Sequence, residues 1–180
     1  RSVTRNGNRS DIMAPHGAFP CQGEDQWCTI TVGNDEQWAG LRRALGEPDW
    51  AKDGRFDDAA GRLTNQDEIE VMLSKWTELR SSKAVMDTLL AEGVPAGVVQ
   101  RSSDLKQDPQ LEHRGFFRNL DHQEMGTVPY PGHQFRIQGY DSGPRSPAPV
   151  LGQHNEYVLK EILGMTDEEM VEAVVAGAFA

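Results

Sequence analysis

Residues 15–32 read Pro15-His16-Gly17-Ala18-Phe19-Pro20-Cys21-Gln22-Gly23-Glu24-Asp25-Gln26-Trp27-Cys28-Thr29-Ile30-Thr31-Val32. In the second half Trp27, Thr29 and Thr31 alternate with Cys28, Ile30 and Val32. That period of two is expected of a strand with one wet face and one dry face. The polar Gly23-Glu24-Asp25 suits a turn, so two short strands are predicted over 18–22 and 27–32. Cys21 and Cys28 flank that turn, and whether they pair stays open. Two cysteines make no disulfide framework, and a reducing cytoplasm is the simpler expectation.

Working outward, residues 1–17 are rich in Arg, Asn, Ser and Gly without an apolar period, and read as a linker. After the hairpin, Trp38, Leu41 and Leu45 predict a helix over 35–45, capped by Asn34 or Asp35 and stopped by Gly46. Residues 47–66 are polar, with Trp50 and Phe56 as anchors. Ile69, Met72, Leu73 and Trp76 predict a helix over 66–79 capped by Asn65. A further helix, capped by Ser82, carries Val85, Met86, Leu89 and Leu90 and closes at Gly93. Residues 94–99 turn into a short strand, and brief helices start at Ser103 and at Asp108-Pro109.

From Phe116 the pattern becomes β, with strands expected over 116–120, 127–129 and 134–137. Pro144, Pro147 and Pro149 mark a connector over 140–150. The chain then returns to helix over 152–163, and Thr166-Asp167-Glu168-Glu169 is a capping box opening the last helix. The expected fold class is α+β: a small helical domain with short antiparallel strands, plus a C-terminal helical tail. That tail carries Val158, Leu159, Ile162, Leu163, Val171, Val174 and Val175, which must bury against this chain or against a domain supplied elsewhere.

Composition narrows the function. Of 180 residues, 18 are Lys or Arg and 28 are Asp or Glu, a net charge of −10 that disfavours a nucleic-acid partner. There is no apolar run of ~18 residues, so no membrane span is expected. The chain opens on Arg1 without an apolar leader, which supports a processed or excised segment as the expectation. No phosphate loop, no Gly-x-Gly-x-x-Gly after a strand and no Gly-x-Ser-x-Gly elbow occurs. The histidines at 16, 113, 122, 133 and 154 lack metal-ligand spacing, so no metal is expected.

The order of several blocks carries a resemblance. Asn8-Arg9-Ser10-Asp11-Ile12-Met13-Ala14-Pro15-His16-Gly17-Ala18-Phe19-Pro20-Cys21 followed by Asp25-Gln26-Trp27 resembles class III coenzyme A transferases. These are the CaiB/BaiF relatives of carnitine dehydratase and bile-acid-inducible protein F, with the α-methylacyl-CoA racemases. Gly93-Val94-Pro95-Ala96-Gly97-Val98-Val99 is similar to the family's Gly-x-Pro-x-Gly-Pro-Val, with Val98 in place of proline. Asp108-Pro109-Gln110-Leu111-Glu112-His113-Arg114-Gly115-Phe116-Phe117 and Pro147-Ala148-Pro149-Val150-Leu151-Gly152-Gln153-His154 resemble two later blocks in the same order.

The resemblance implies the second half of a two-domain enzyme. Residues 1–17 would be the linker from an N-terminal large domain, 18–140 the small domain, and 141–180 the connector and helices returning to the large domain. The implied partners are that large domain, in the same or a companion chain, and a second copy in an interlocked homodimer. The implied activity is transfer of CoA between carboxylic acids through an aspartate in the other half. No catalytic residue is therefore assigned here, and the isolated chain is expected to be inactive. Acyl-CoA is implied as substrate, with no tightly bound cofactor. The segment beside the active site would be Pro15, His16, Gly17, Ala18 and Phe19. The alternatives are an acyl-CoA racemase of the same fold, or a non-catalytic subunit or assembly module.

Overall fold

The computed structural model describes residues 5–141 and 143–178. The fold is α+β. Two compact units divide it at a boundary the sequence did not single out, Arg1–Arg101 and Ser102–Ala180.

In the first unit, β1 (His16–Pro20) and β2 (Trp27–Thr31) form the hairpin. Their register pairs His16 with Thr31, Ala18 with Thr29 and Pro20 with Trp27. The first strand lies two residues earlier than expected. β3 (Ala96–Val98) adds to the other edge of β2, antiparallel, giving the order β1-β2-β3. Alternation then sorts the side chains: Phe19, Cys28 and Ile30 point into the core, while Thr29 faces out.

Helices cover the dry face. α1 (Asp35–Ala44) starts where Asn34 accepts a hydrogen bond from the Gln37 amide at 2.9 Å. Its Gly40 packs so close to the Glu92 carbonyl that no Cβ would fit between them. α2 (Ala59–Thr64) begins at an Asp58 cap. α3 (Gln66–Thr77) follows directly. Asn65 does not cap α3 as expected, because its amide side chain donates backward to the Gly61 carbonyl at the end of α2. α4 (Ser82–Ala91) is capped by Ser81 rather than Ser82, whose own side chain is buried.

The core is Phe19, Ile30, Val32, Trp38, Leu41, Phe56, Ile69, Leu73, Val85, Leu89 and Val94, with both cysteines. Trp38, Trp50 and Phe56 meet edge to face with centroids 6.0 to 6.5 Å apart, the geometry aromatic quadrupoles favour. Trp50 and Phe56 thus anchor the polar stretch, as their spacing suggested. A charge is buried beside them: Arg62 donates to the Phe56 and Asp57 carbonyls and to Asp35 Oδ1 at 2.7 Å. Its guanidinium lies 5.5 Å from the Trp38 ring centre.

The second unit holds α5 (Ser102–Leu105), α6 (Pro109–His113), and the hairpin of β4 (Phe117–His122) and β5 (Gly126–Pro131). Asp108 caps α6 through the amides of Gln110 and Leu111. His122 holds the hairpin turn: its Nδ1 accepts from the amides of Glu124 and Met125, both at 3.1 Å. The strand expected over 134–137 does not form. Only a single bridge, Ile137 to Tyr140, is made there, because Pro131-Gly132 ends β5 and turns the chain away. The helix expected over 152–163 is shortened to a π-helical segment, Tyr157–Ile162. α7 (Asp167–Val175) opens on the expected capping box between Thr166 and Glu169.

Candidate functional site

The residues singled out in the sequence lie where the leading segment crosses the edge of the three-stranded sheet. Arg9 anchors that segment to α3, donating through Nε to Glu70 Oε1 at 3.0 Å and through Nη2 to Glu70 and Asp67. These carboxylates, Glu70 first and Asp67 second, hold the guanidinium pKa above its ordinary value. The Ala14–Pro15 bond is cis, and the Pro15 carbonyl accepts from the Val32 amide at 2.9 Å, joining the segment to β2.

Between this segment and the outer sheet face runs a groove of about 390 Å³, lined by Gly7, Asn8, Arg9, His16, Gly17, Ala18, Thr29 and Thr31. A neighbouring pocket of about 220 Å³ shares Asn8, Arg9, Gly17 and Ala18 and reaches Glu70 and Ser74. The strand register explains the lining. His16, Ala18, Thr29 and Thr31 are cross-strand pairs on one face, and Ala18 with Gly97 opposite Thr29 keeps that face low.

Of the five expected residues, His16, Gly17 and Ala18 line the groove. Pro15 and Phe19 do not: both are buried, Phe19 within the core, though Phe19 also borders the neighbouring pocket. A Cβ on Gly17 would meet only ordinary contacts with Phe19 and Asn8, so packing does not require glycine there. Spacing had not marked Thr29, Thr31 or Arg9 as members. The threonines read only as the wet face of a strand, and the carboxylates holding Arg9 lie 58 and 61 residues away.

Beside Arg9, His16 also lines the groove with a defined hydrogen bond. Its Nδ1 lies 2.5 Å from the Asn8 carbonyl oxygen. A carbonyl only accepts, so Nδ1 carries a proton, and Nε2 is the ring atom left to face the groove as acceptor whenever it is unprotonated. Thr29 donates its hydroxyl to the Gly97 carbonyl at 3.0 Å, which leaves its oxygen lone pairs as acceptors. The groove therefore combines a cation fixed by carboxylates, an imidazole of set tautomer and two hydroxyls.

The cysteines beneath the sheet do not add a nucleophile. Both are free and buried. Burial pushes the Cys28 thiol up to about 11, with neighbouring Cys21 adding to the shift, and burial also raises Cys21. A thiol held protonated at neutral pH is a weak nucleophile. Among the described residues, no three His, Cys, Asp or Glu side chains are grouped to hold a metal ion. None of the described helices is long and apolar enough to cross a membrane.

Comparison with known proteins sets this geometry in a family. A "Probable CoA-transferase" of Mycobacterium tuberculosis is 33% identical over 162 residues, covering 86% of this chain and 20% of that protein. The succinyl-CoA:glutarate CoA-transferase of Homo sapiens is 25% identical over 177 residues, covering 98% of this chain and 40% of that one. Among solved structures, a CaiB/BaiF family protein from Brucella suis superposes with a TM-score of 0.76 at 28% identity, over 90% of this chain and 41% of that one. The chain thus spans two fifths or less of the length of these curated relatives. The family model for CoA-transferase family III matches residues 1–155, and the chain belongs to that family.

Proposed function

We propose that this family III chain supplies part of an acyl-CoA transferase moving CoA from one carboxylic acid to another. The observation that carries the reading is the family match over residues 1–155, which takes in the segment and hairpin that form the groove. In this reading an aspartate outside these residues attacks the thioester carbonyl of the donor. The C–S bond breaks, CoA leaves as a thiolate, and an acyl-aspartyl anhydride forms. The thiolate then attacks the aspartyl carbonyl, releasing the donor acid and leaving an aspartyl thioester. The acceptor carboxylate attacks that thioester, and the same two steps in reverse return free aspartate and a new acyl-CoA.

The part assigned to this chain is the acyl side of the site. The low face at Gly17 and Ala18 gives room for the acyl group. His16 Nε2 offers an acceptor, and Arg9 fixes the segment that forms the opposite wall. Transfer is preferred to racemisation because the relatives named above are transferases. The exposed Val171, Val174 and Val175 of α7 are assigned to packing on a large domain, within an interlocked homodimer. The unpaired thiols are in keeping with a reducing cytoplasm.

The test is to incubate the complete protein that contains this chain with a donor acyl-CoA, trap the intermediate with hydroxylamine, and map the modified peptide. The expected label falls on an aspartate outside residues 1–180, and the purified 180-residue chain does not exchange CoA between succinate and glutarate. A labelled aspartate inside these residues, or exchange by the chain alone, overturns the assignment.

A further inference from the structure

A second cleft, of about 240 Å³, lies wholly in the second unit between the β4–β5 hairpin and the loop after it. Three guanidinium groups line it, those of Arg114, Arg118 and Arg136, against one carboxylate, Asp141. In a chain of net charge −10 this concentration of positive charge is out of keeping with the surroundings. Arg118 is satisfied internally. It pairs with both oxygens of Asp141, one contact being Nη1 to Oδ2 at 3.0 Å, and a Cβ on Gly143 would collide with its guanidinium. The pair holds Arg118 above and Asp141 below their ordinary pKa ranges.

The other two arginines are differently placed. Arg114 makes one long contact, Nη2 to the Gln134 carbonyl at 3.4 Å. Arg136 has no hydrogen-bond or ion-pair partner among the described residues. Asp141 is already paired with Arg118, and no ion pair joins it to either remaining guanidinium among the described residues. Ring surfaces stand beside them. His133 and Phe135 are stacked with centroids 5.2 Å apart and planes 10° from parallel, and Tyr140 also lines the cleft.

We propose that this cleft binds a small aromatic anion, an aryl phosphate or aryl carboxylate. Arg114 and Arg136 fork onto its oxygens, and its ring lies against the His133–Phe135 stack. Both anions present paired oxygens that match a guanidinium fork, and a ring adds stacking that a bare anion lacks. The site uses only residues of the second unit and goes beyond the transferase reading, so either can fail without the other.

The test is a titration of the 180-residue chain with phenyl phosphate, benzoate, inorganic phosphate and phenol, following the arginine side-chain N–H signals by NMR. Saturating shifts at Arg114 and Arg136 are expected with phenyl phosphate or benzoate, and the stronger of the two identifies the anion. Inorganic phosphate should bind more weakly and phenol should leave the signals unmoved. Arg136→Gln and, independently, Arg114→Gln should each weaken binding about tenfold, the loss of one charge-assisted contact. Arg80→Gln, in the other unit, should leave it unchanged. Shifts no larger than those given by sodium chloride at equal ionic strength, or undiminished affinity in both cleft variants that remain folded, overturn the proposal.

Discussion

The two units are built on opposite terms. Residues up to 101 enclose a core in which Ile30, Leu41, Phe56, Ile69, Leu73, Val85, Leu89 and Val94 are fully withdrawn from water. Beyond 101, Leu159 is the single buried hydrophobic side chain among the described residues, while Phe135, Ile137, Tyr140, Leu163 and Val175 are exposed. The second unit still has well-formed local structure: a registered hairpin, an Asp108 cap, a Thr166–Glu169 capping box and the Lys160 pairs with Glu156 and Asp167. Caps and turns need only a few neighbouring residues, and so they specify shape without supplying much stability. Burial supplies stability, and it needs partners distant in sequence.

The sharpest way to break this comparison is to remove the centre of the first core. Phe56→Ala should cost about 3–5 kcal/mol in chemical denaturation, the range for deleting a buried aromatic ring. In the unsubstituted chain, amides of α1, α3 and α4 should exchange with deuterium far more slowly than those of β4, β5 and α7. Equal protection in the two units would contradict the contrast.

A smaller effect is expected from alkali. The raised pKa of Cys28 means the folded state binds the thiol proton more tightly than the unfolded chain does. Its contribution to stability is complete below about 8.5, the unfolded value. It is lost as pH rises through about 11. The melting temperature of the first unit should therefore fall across that window, and Cys28→Ala should flatten the fall. An unchanged slope in Cys28→Ala would assign the alkaline loss to another group. The smallest effect is local: Arg9→Met should release the leading segment from α3 and speed protease cleavage within residues 5–12 several-fold, with little change in melting. Unchanged cleavage would mean that the His16–Asn8 and Pro15–Val32 contacts hold the segment without Arg9.

What the sequence made legible follows the same division. The hairpin, the Asn34 cap, the Thr166 box and the anchors Trp50 and Phe56 were readable because each depends on a short pattern of apolar or capping residues. Asn65 misled because one residue closes α2 and opens α3, and its side chain can serve only one of them. Residues 134–137 misled because they read as a strand, yet they have no strand partner after the turn at Pro131-Gly132. Arg62 was invisible for a different reason. A charged residue in a polar stretch reads as surface, and only the folded chain brings the Phe56 carbonyl, Asp35 and Trp38 around it. In the groove, His16, Gly17 and Ala18 are residues that the resemblance had singled out. Arg9 and the threonines depend on long-range pairing that spacing cannot express.

The contact between Gly40 and the Glu92 carbonyl acts at a distance from where it lies. Glu92 leads through Val94 into β3, and β3 presents Gly97, whose carbonyl receives the Thr29 hydroxyl. A methyl group placed on Gly40 would collide with the Glu92 carbonyl oxygen, so α1 or the turn at Glu92 must shift to admit it. A single carbon added to α1 is therefore felt first in the turn that delivers the chain to β3.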